Sequence, residues 1–150
     1  MDYDQLTGLF TRKTGGHGVV AGEIAGGLDD KGYWVIRIFG KRYKAHRLAF
    51  LWMEGKFPPK IADHENRRRD DNSWGNLRGA TYSENAANSI CRKQKRLRIK
   101  GVFERNGRFR AIICANGKHI HLGTYDREEE AALAYADEAK KQFGEFARVA

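Results

Sequence analysis

Residues 61–88, IADHENRRRDDNSWGNLRGATYSENAAN, decide the fold that we expect for this chain. Their pattern predicts a short strand, a polar loop and a second strand over residues 61–64, 65–75 and 76–80. Thr81 and Glu84 then form a T-x-x-E capping box, which predicts a helix that begins at about Tyr82 and runs past Ile90. The stretch therefore predicts a strand, a loop, a strand and a helix in succession.

Three side chains of this stretch, Asp63, His64 and Asn85, have the chemistry that phosphodiester cleavage requires. A histidine has an ordinary pKa of about 6.5, so His64 is suited to take a proton from water near neutral pH. Asp63 and Asn85 offer hard oxygen ligands, which suit Mg²⁺ or Mn²⁺ rather than zinc, with phosphate oxygens and water completing the shell. Because neighbouring residues of a strand point to opposite faces, we expect the strand to twist or end at Asp63 and His64.

Each of these residues also has a structural interpretation when it is taken singly. His64 suits a surface loop, Asp63 suits a turn, and Asn72 and Asn76 suit the Asx turns that stabilise loops. A lone Asp-His pair carries little functional information. The order of residue types over residues 63–85 is what favours a catalytic centre.

That order resembles the HNH homing-type endonucleases of phages and introns over roughly residues 33–90. The resemblance rests on Asp63-His64-Glu65-Asn66, Asp71-Asn72, Asn76-Leu77-Arg78 and Ser83-Glu84-Asn85-Ala86-Ala87-Asn88, preceded by Ala45-His46-Arg47-Leu48-Ala49. It implies a ββα-metal fold and hydrolysis of DNA that leaves a 5′-phosphate and a 3′-hydroxyl.

The resemblance also implies roles for individual residues. His64 would be the general base, and Asp63 and Asn85 would bind the metal. Asn76 would orient His64 and brace the loop, with Asn72 as a second brace. Contacts with DNA are also expected from Arg78 and from Arg67, Arg68 and Arg69. These three loop arginines stand where that family often has a small turn, so they either contact the DNA or alter the loop.

The residues before this stretch predict N-terminal β-hairpins. Six glycines lie between Gly15 and Gly27 without a following Gly-Lys-Ser/Thr, so they indicate turns between short strands rather than a phosphate-binding loop. Residues 33–39 and 42–44 predict a hairpin with its turn at Gly40-Lys41.

Residues 46–54 predict a helix that follows the hairpin. Leu48, Leu51 and Trp52 fall at helical spacing and are expected to face the core. We expect His46, at the start of this helix, to be a structural or DNA-backbone residue.

The composition favours a polyanionic partner. The chain has 28 Lys and Arg against 19 Asp and Glu, which makes double-stranded DNA the expected partner. There is no apolar run near the length of a membrane span and no signal-peptide pattern, so we expect a cytoplasmic protein with no membrane partner. The resemblance to phage enzymes implies a phage-encoded protein that acts in a bacterial host, and a monomer is favoured.

The basic charge is concentrated after residue 90. Residues 91–150 carry 14 Lys and Arg against 8 Asp and Glu, and residues 91–98 form a strongly basic linker. We expect this linker to lie on the phosphate backbone through Arg92, Lys93, Lys95, Arg96 and Arg98. Cys91 and Cys114 lack metal-ligand spacing, so neither a zinc site nor a disulfide is expected.

Residues 99–150 predict a small three-stranded antiparallel sheet packed on one helix. Strands are expected to begin near Lys100, Arg108 and His119, and they are separated by turns at Asn106-Gly107 and Asn116-Gly117. The helix that follows is expected to be capped by Asp126 and Glu129 and to end at Gly144.

This part resembles the APETALA and ethylene-response-factor DNA-binding domain over residues 99–146. The matching segments are Lys100-Gly101-Val102, Gly107-Arg108-Phe109, Leu122-Gly123-Thr124-Tyr125 and Glu129-Glu130-Ala131-Ala132-Leu133-Ala134-Tyr135. The resemblance implies DNA binding by the sheet. By position, the expected contacts are Lys100, Arg105, Arg108, Arg110, His119 and His121.

We therefore predict an α+β protein with an HNH nuclease domain at 1–90, a linker at 91–98 and an APETALA-like domain at 99–150. Its predicted function is metal-dependent DNA cleavage, by nicking or double-strand cutting. The alternative from another class is a non-catalytic DNA-binding or regulatory protein that keeps the nuclease fold. RNA remains open as a substrate, because backbone charge does not distinguish the two polymers.

Overall fold

The computed structural model describes residues 1–16, 18–58, 60–89 and 99–148, and the chain divides into two compact units, Met1–Ala80 and Thr81–Ala150. Helices and small antiparallel sheets occur in both, which confirms the predicted α+β class. The predicted boundaries at 90 and 98 remain predictions, since residues 90–98, which hold the linker, lie outside the described residues. No helix within the described ranges is long and apolar enough to cross a membrane.

The described residues of the first unit form three small antiparallel sheets and one α-helix. Their elements are β1 (Asp2–Tyr3), β2 (Phe10–Thr11), β3 (Gly27–Leu28), β4 (Trp34–Ile38), β5 (Lys41–Lys44), α1 (Ala45–Glu54), β6 (Ile61–His64) and β7 (Leu77–Ala80). Strand β1 pairs with β2, β4 lies between β3 and β5, and β6 pairs with β7. The predicted hairpins are thus present.

The β4–β5 hairpin turns one residue earlier than predicted. Phe39 and Gly40 form the turn with φ angles of 48° and 78°, whereas the sequence predicted Gly40-Lys41. Positive φ at both central residues is the geometry of a type I′ turn, whose twist matches that of the flanking strands. The Phe39 side chain is fully exposed.

Helix α1 faces the core with a different set of residues from the predicted one. Leu48 is buried as expected, but Leu51 and Trp52 are partly exposed, and Ala45, Ala49 and Phe50 are buried instead. Positions 45, 48 and 49 share one helical face, and their two alanines let the helix approach the core closely. Leu48 and Phe50 pack there with Phe10, Ile36 and Leu77.

The second unit contains helix α2 (Tyr82–Asn88), strands β8 (Val102–Arg105), β9 (Arg108–Ala115) and β10 (Lys118–Tyr125), and helix α3 (Glu128–Phe143). Strand β9 is central, and both turns have positive φ at their asparagine and glycine, as the sequence predicted. Ala111 and Ile113 of β9 are buried, as are Ala131 and Tyr135 of α3, so the helix packs on one face of the sheet.

Two helix ends differ from the predictions. Helix α2 has the predicted capping box at Thr81 and Glu84 but ends at Asn88, because the backbone of Ser89 is extended. Helix α3 ends at Gly144 as predicted, but its N-cap is Arg127, with no side-chain cap bond. Asp126 pairs with Arg108 instead, at 2.7 Å.

Candidate active site

The β6–β7 hairpin places Asp63 and His64 at the end of a strand. Strand β6 ends at His64, in agreement with the expectation that the strand twists or ends at these two adjacent residues. Each of the two residues is only 6% exposed. Asp63 lies directly opposite Arg78 of β7. The Nε of Arg78 donates to Oδ2 of Asp63 at 3.1 Å, and both side chains are largely buried. Arg78 was predicted to contact DNA, but its guanidinium neutralises this buried carboxylate, and we assign it a structural role.

Asn72 makes the hydrogen bond that holds His64. Its Oδ1 lies 3.2 Å from Nε2 of His64, and its own Nδ2 donates to the carbonyl of Asp70 at 3.1 Å. Because the amide nitrogen is committed to that carbonyl, Oδ1 faces the imidazole as an acceptor, and Nε2 must carry the hydrogen. Nδ1 then holds the lone pair that can accept a proton.

Asn76 braces the loop rather than contacting His64. Its Oδ1 accepts from the backbone of Asn66 at 3.0 Å, and its Nδ2 donates to the carbonyl of Asp71 at 2.8 Å. The prediction that Asn76 orients His64 is therefore corrected, because Asn72 makes that bond. The Asp71 carboxylate also accepts from Ser73 and Asn66, and these hydrogen bonds lower its pKa.

Burial favours the neutral form of His64. Desolvation lowers its pKa, while the hydrogen bond to Asn72 and the nearby carboxylates of Asp63 and Asp71 act in the opposite direction. A histidine with a lowered pKa is unprotonated at neutral pH. His64 therefore has the protonation state that a general base requires.

A second buried histidine packs against His64. The ring of His46 meets that of His64 edge to face, with 4.9 Å between centroids, and Tyr33 packs on both rings. His46 is 5% exposed, and its Nδ1 has no hydrogen-bond partner within the described residues. Burial, followed by the charges of neighbouring groups that include His64, lowers the pKa of His46 to about 3.

Two cations lie over the ring of Tyr33. Nζ of Lys44 is 3.6 Å from the ring centroid, and the guanidinium carbon of Arg69 is 5.0 Å from it. Arg69 also donates to the carbonyl of Lys31 at 2.9 Å. Lys44 and Arg69 thus place positive charge over the Tyr33 ring, and that ring packs on His64. The sequence predicted Arg69 as a DNA contact but missed Lys44 and Tyr33, since nothing local links them to the loop.

Two residues of the N-terminal segment, Tyr3 and Gly8, lie against the backbone of Asn72. The hydroxyl of Tyr3 donates to the backbone carbonyl of Asn72 at 2.6 Å, and burial raises the pKa of Tyr3 to about 12. Gly8 has φ of 74°, and a Cβ there would overlap the Asn72 backbone. Sequence reasoning missed both residues, because they lie more than sixty positions from Asn72.

The other predicted DNA contacts differ in their surroundings. Arg67 and Arg68 are exposed, and Arg68 pairs with Asp70 at 3.4 Å. Lys100 has a different role, because its Nζ donates to the carbonyls of Ala86, Ala87 and Ser89 at the end of α2. The linker residues Arg92, Lys93, Lys95, Arg96 and Arg98 lie outside the described residues.

The remaining predicted contacts share the outer face of the C-terminal sheet. Ala111 and Ile113 face the helix, so the alternate residues of β9 point away from it. Arg105 lies opposite Arg108, Phe103 opposite Arg110, His121 opposite Ile112, and His119 opposite Cys114, which places all of these on that face. Three arginines and two histidines thus share this face with Phe103, Ile112 and Cys114. Their contact with DNA stays a prediction.

The proposed metal ligands have suitable donor chemistry but lie in different units. Asp63 supplies a carboxylate in the first unit, and Asn85 supplies a half-buried amide on α2 in the second. Their hard oxygens fit Mg²⁺ or Mn²⁺. The Asp63 carboxylate also accepts a hydrogen bond from Arg78. Within the described residues, no group of three or more His, Cys, Asp or Glu could hold a metal ion.

Comparison with known proteins shows which family the residues around this site resemble. Residues 43–87 match the family model described as HNH endonuclease. The match begins in β5 and ends in α2, so it contains Asp63, His64, Asn72, Asn76 and Asn85. Residues 43–87 are therefore similar to the HNH endonuclease family.

A viral relative extends the similarity beyond that segment. The chain is 34% identical over 122 residues to an uncharacterized HNH endonuclease of Acanthamoeba polyphaga mimivirus, and the alignment covers 80% of this chain. It covers 63% of the relative, so the chain matches less than two thirds of that protein's length.

Proposed function

We propose that this protein is a metal-dependent DNA endonuclease in which His64 activates the attacking water. The hydrogen bond between His64 and Asn72 carries the proposal, because it fixes both the ring and its tautomer. A buried, neutral imidazole held in one orientation and one tautomer is suited to proton transfer near neutral pH.

The residues around His64 supply the rest of the proposed chemistry. His64 takes a proton from water as the water attacks phosphorus, and the P–O3′ bond breaks. The leaving O3′ takes a proton from solvent, which gives a 5′-phosphate and a 3′-hydroxyl. Lys44 and Arg69, gathered on Tyr33, are proposed to neutralise the backbone phosphates. Asn76 keeps the loop in place.

Asp63 and Asn85 are the proposed ligands of one divalent metal, Mg²⁺ or Mn²⁺. When bound, the metal would supply positive charge to the phosphorane and to the leaving oxygen. Asp63 is held beside Arg78, so its carboxylate is already oriented.

The second unit is proposed to hold double-stranded DNA through the outer face of its sheet. Arg105, Arg108, Arg110, His119 and His121 lie on that face, in keeping with the resemblance to APETALA-like domains. The basic residues of the linker remain proposed DNA contacts, and so do Arg67 and Arg68 of the β6–β7 loop. Lys100 does not, because it caps α2. Action in the cytoplasm as a monomer stays a prediction.

The decisive experiment is a nicking assay on supercoiled plasmid with Mg²⁺ or Mn²⁺. Wild-type protein should convert the plasmid to open-circular or linear form, a chelator should stop this, and His64→Ala should lower the rate about 10²- to 10⁴-fold. Asp30→Ala, which removes an exposed carboxylate of the same unit, is the control and should cleave normally.

The same assay distinguishes the rival function. A non-catalytic DNA-binding protein would retard the plasmid on a gel without cutting it. The specific observation in its favour is the ion pair that already occupies Asp63. Binding without metal-dependent cleavage, or equal cleavage by His64→Ala, would refute the endonuclease proposal.

A further inference from the structure

Three arginines meet in a groove of the first unit that lies outside the segment matched by the HNH family. The groove encloses about 440 Å³, and its walls include Arg12, Arg37 and Arg42. Arg12 comes from the chain after β2, while Arg37 and Arg42 come from β4 and β5. Three arginines from separate parts of the chain thus line the same groove.

Two of these arginines are neighbours across the hairpin. Arg37 and Arg42 are directly opposite in the β4–β5 register, so their Cβ atoms lie about 5 Å apart on one face. Like charges directly opposite each other destabilise a sheet. Within the described residues, none of the three guanidinium groups forms an ion pair or a side-chain hydrogen bond. An anion between them would relieve this repulsion.

The acidic groups near the groove do not neutralise it. Glu23 lines it, and its carboxylate accepts a hydrogen bond from the backbone of Val20 at 3.3 Å. Asp29 has a lowered pKa, caused first by hydrogen bonding to the backbone of Tyr33, with Arg42 acting at longer range. Three arginines against Glu23 leave the groove cationic.

Glycine keeps part of the groove open. Gly26 and Gly27 line it, and no atom lies near the position that a Cβ of Gly27 would occupy. A Cβ at Gly26 would overlap the carbonyl of Val35, which holds the chain close against β4. The lack of side chains leaves room for a group that approaches the backbone closely.

We infer that this groove binds a phosphate of the DNA backbone, as an anchoring site separate from the catalytic residues. Guanidinium groups recognise phosphate through paired N–H donors, and three arginines line this groove. The groove is also within the size range of sites that enclose small groups. The inference rests on the proposed DNA endonuclease function.

The test compares binding of a short fluorescein-labelled duplex by full-length variants, in a His64→Ala background with chelator. Arg37→Ala/Arg42→Ala should raise the dissociation constant about tenfold or more, and it should reduce the salt slope by about 0.9, the contribution of one lost phosphate contact. Arg12→Ala, which leaves the other two arginines of the groove in place, should reduce the slope by less than the double variant does.

Lys41→Ala is the matched control, since Lys41 is an exposed cation of the same hairpin that does not line the groove. It should change affinity by less than about threefold, and circular dichroism should show the same fold for all variants. Equal affinity and slope in the double variant would overturn the inference while the endonuclease proposal stands.

Two further outcomes are informative. The first is that inorganic phosphate, at constant ionic strength, stabilises the wild type but not the double variant, while both bind DNA with equal affinity. In that case the groove binds free phosphate and the DNA assignment is wrong. If wild-type protein binds no duplex at low salt, the proposed function fails as well, which separates that failure from failure of the groove alone.

Discussion

The surroundings of His64 and the outer face of the C-terminal sheet use polar residues in opposite ways. Around His64, the functional side chains are buried and held by specific hydrogen bonds to Asn72 and the loop. On the sheet, Arg105 and His119 are exposed, and Arg108 pairs with an exposed aspartate. Buried networks fix geometry and make each substitution costly, whereas exposed charges act collectively and are screened by salt. The buried network around His64 suits chemistry, and the exposed charges of the sheet suit binding.

The largest expected effect tests whether geometry dominates around His64. Asn72→Ala removes the hydrogen bond that sets the ring and tautomer, so we expect kcat to fall about 10²-fold with little change in DNA affinity. Asn72→Asp keeps an acceptor facing Nε2 and adds a charge that raises the pKa of His64. It should retain more activity and move the acidic limb of the pH–rate profile to higher pH. Equal loss in both variants with no change in the profile would argue against a positioning role.

The next test concerns the support behind Asn72. Gly8→Ala places a Cβ against the Asn72 backbone at a position with φ of 74°, so it should destabilise the protein by at least about 1–3 kcal/mol. Urea unfolding measures this cost, and cleavage under native conditions measures the displacement of Asn72. Tyr3→Phe, which removes only the hydroxyl bonded to the Asn72 carbonyl, should have a smaller effect in the same direction. A fully stable and active Gly8→Ala would show that the segment does not constrain the loop.

The buried pair of histidines in the first unit predicts a pH dependence of stability. His46 has a folded pKa of about 3, below the unfolded value of about 6.5, so the unfolded chain binds more protons between these values. Its contribution to stability is complete above about pH 6.5 and is lost as the pH falls, at up to about 1.4 kcal/mol per pH unit.

His46→Gln should flatten the dependence of unfolding free energy on pH over this window. An NMR titration of the wild type gives an independent check, because the His46 ring signals should not shift above about pH 5. A titration midpoint near 6.5 would contradict the burial of a neutral ring, whatever the stability of the variant.

Local signals in the sequence predicted most elements, while side-chain partners required the fold. The capping box of α2 and the two Asn-Gly turns involve residues that are close in the chain, and they were predicted correctly. The path of the loop decides whether Asn72 or Asn76 reaches His64. Likewise, Lys100 caps α2 only because it folds back onto the helix end. Such long-range contacts leave no periodic pattern in the sequence.

The smallest expected effect tests the exposed side of the comparison. Arg105→Ala/Arg110→Ala removes two cations from the outer face of the sheet, so the salt slope of duplex binding should fall by about 2, with modest loss of affinity at physiological salt. Lys140→Ala on α3 is the control, because it removes an exposed cation from another element of the same unit and should leave the slope nearly unchanged. Cleavage at saturating enzyme should persist in the double variant, since the charges act on binding rather than on the reacting atoms. If the double variant instead lost cleavage at saturation while binding normally, the division between a buried chemical site and an exposed binding face would be wrong.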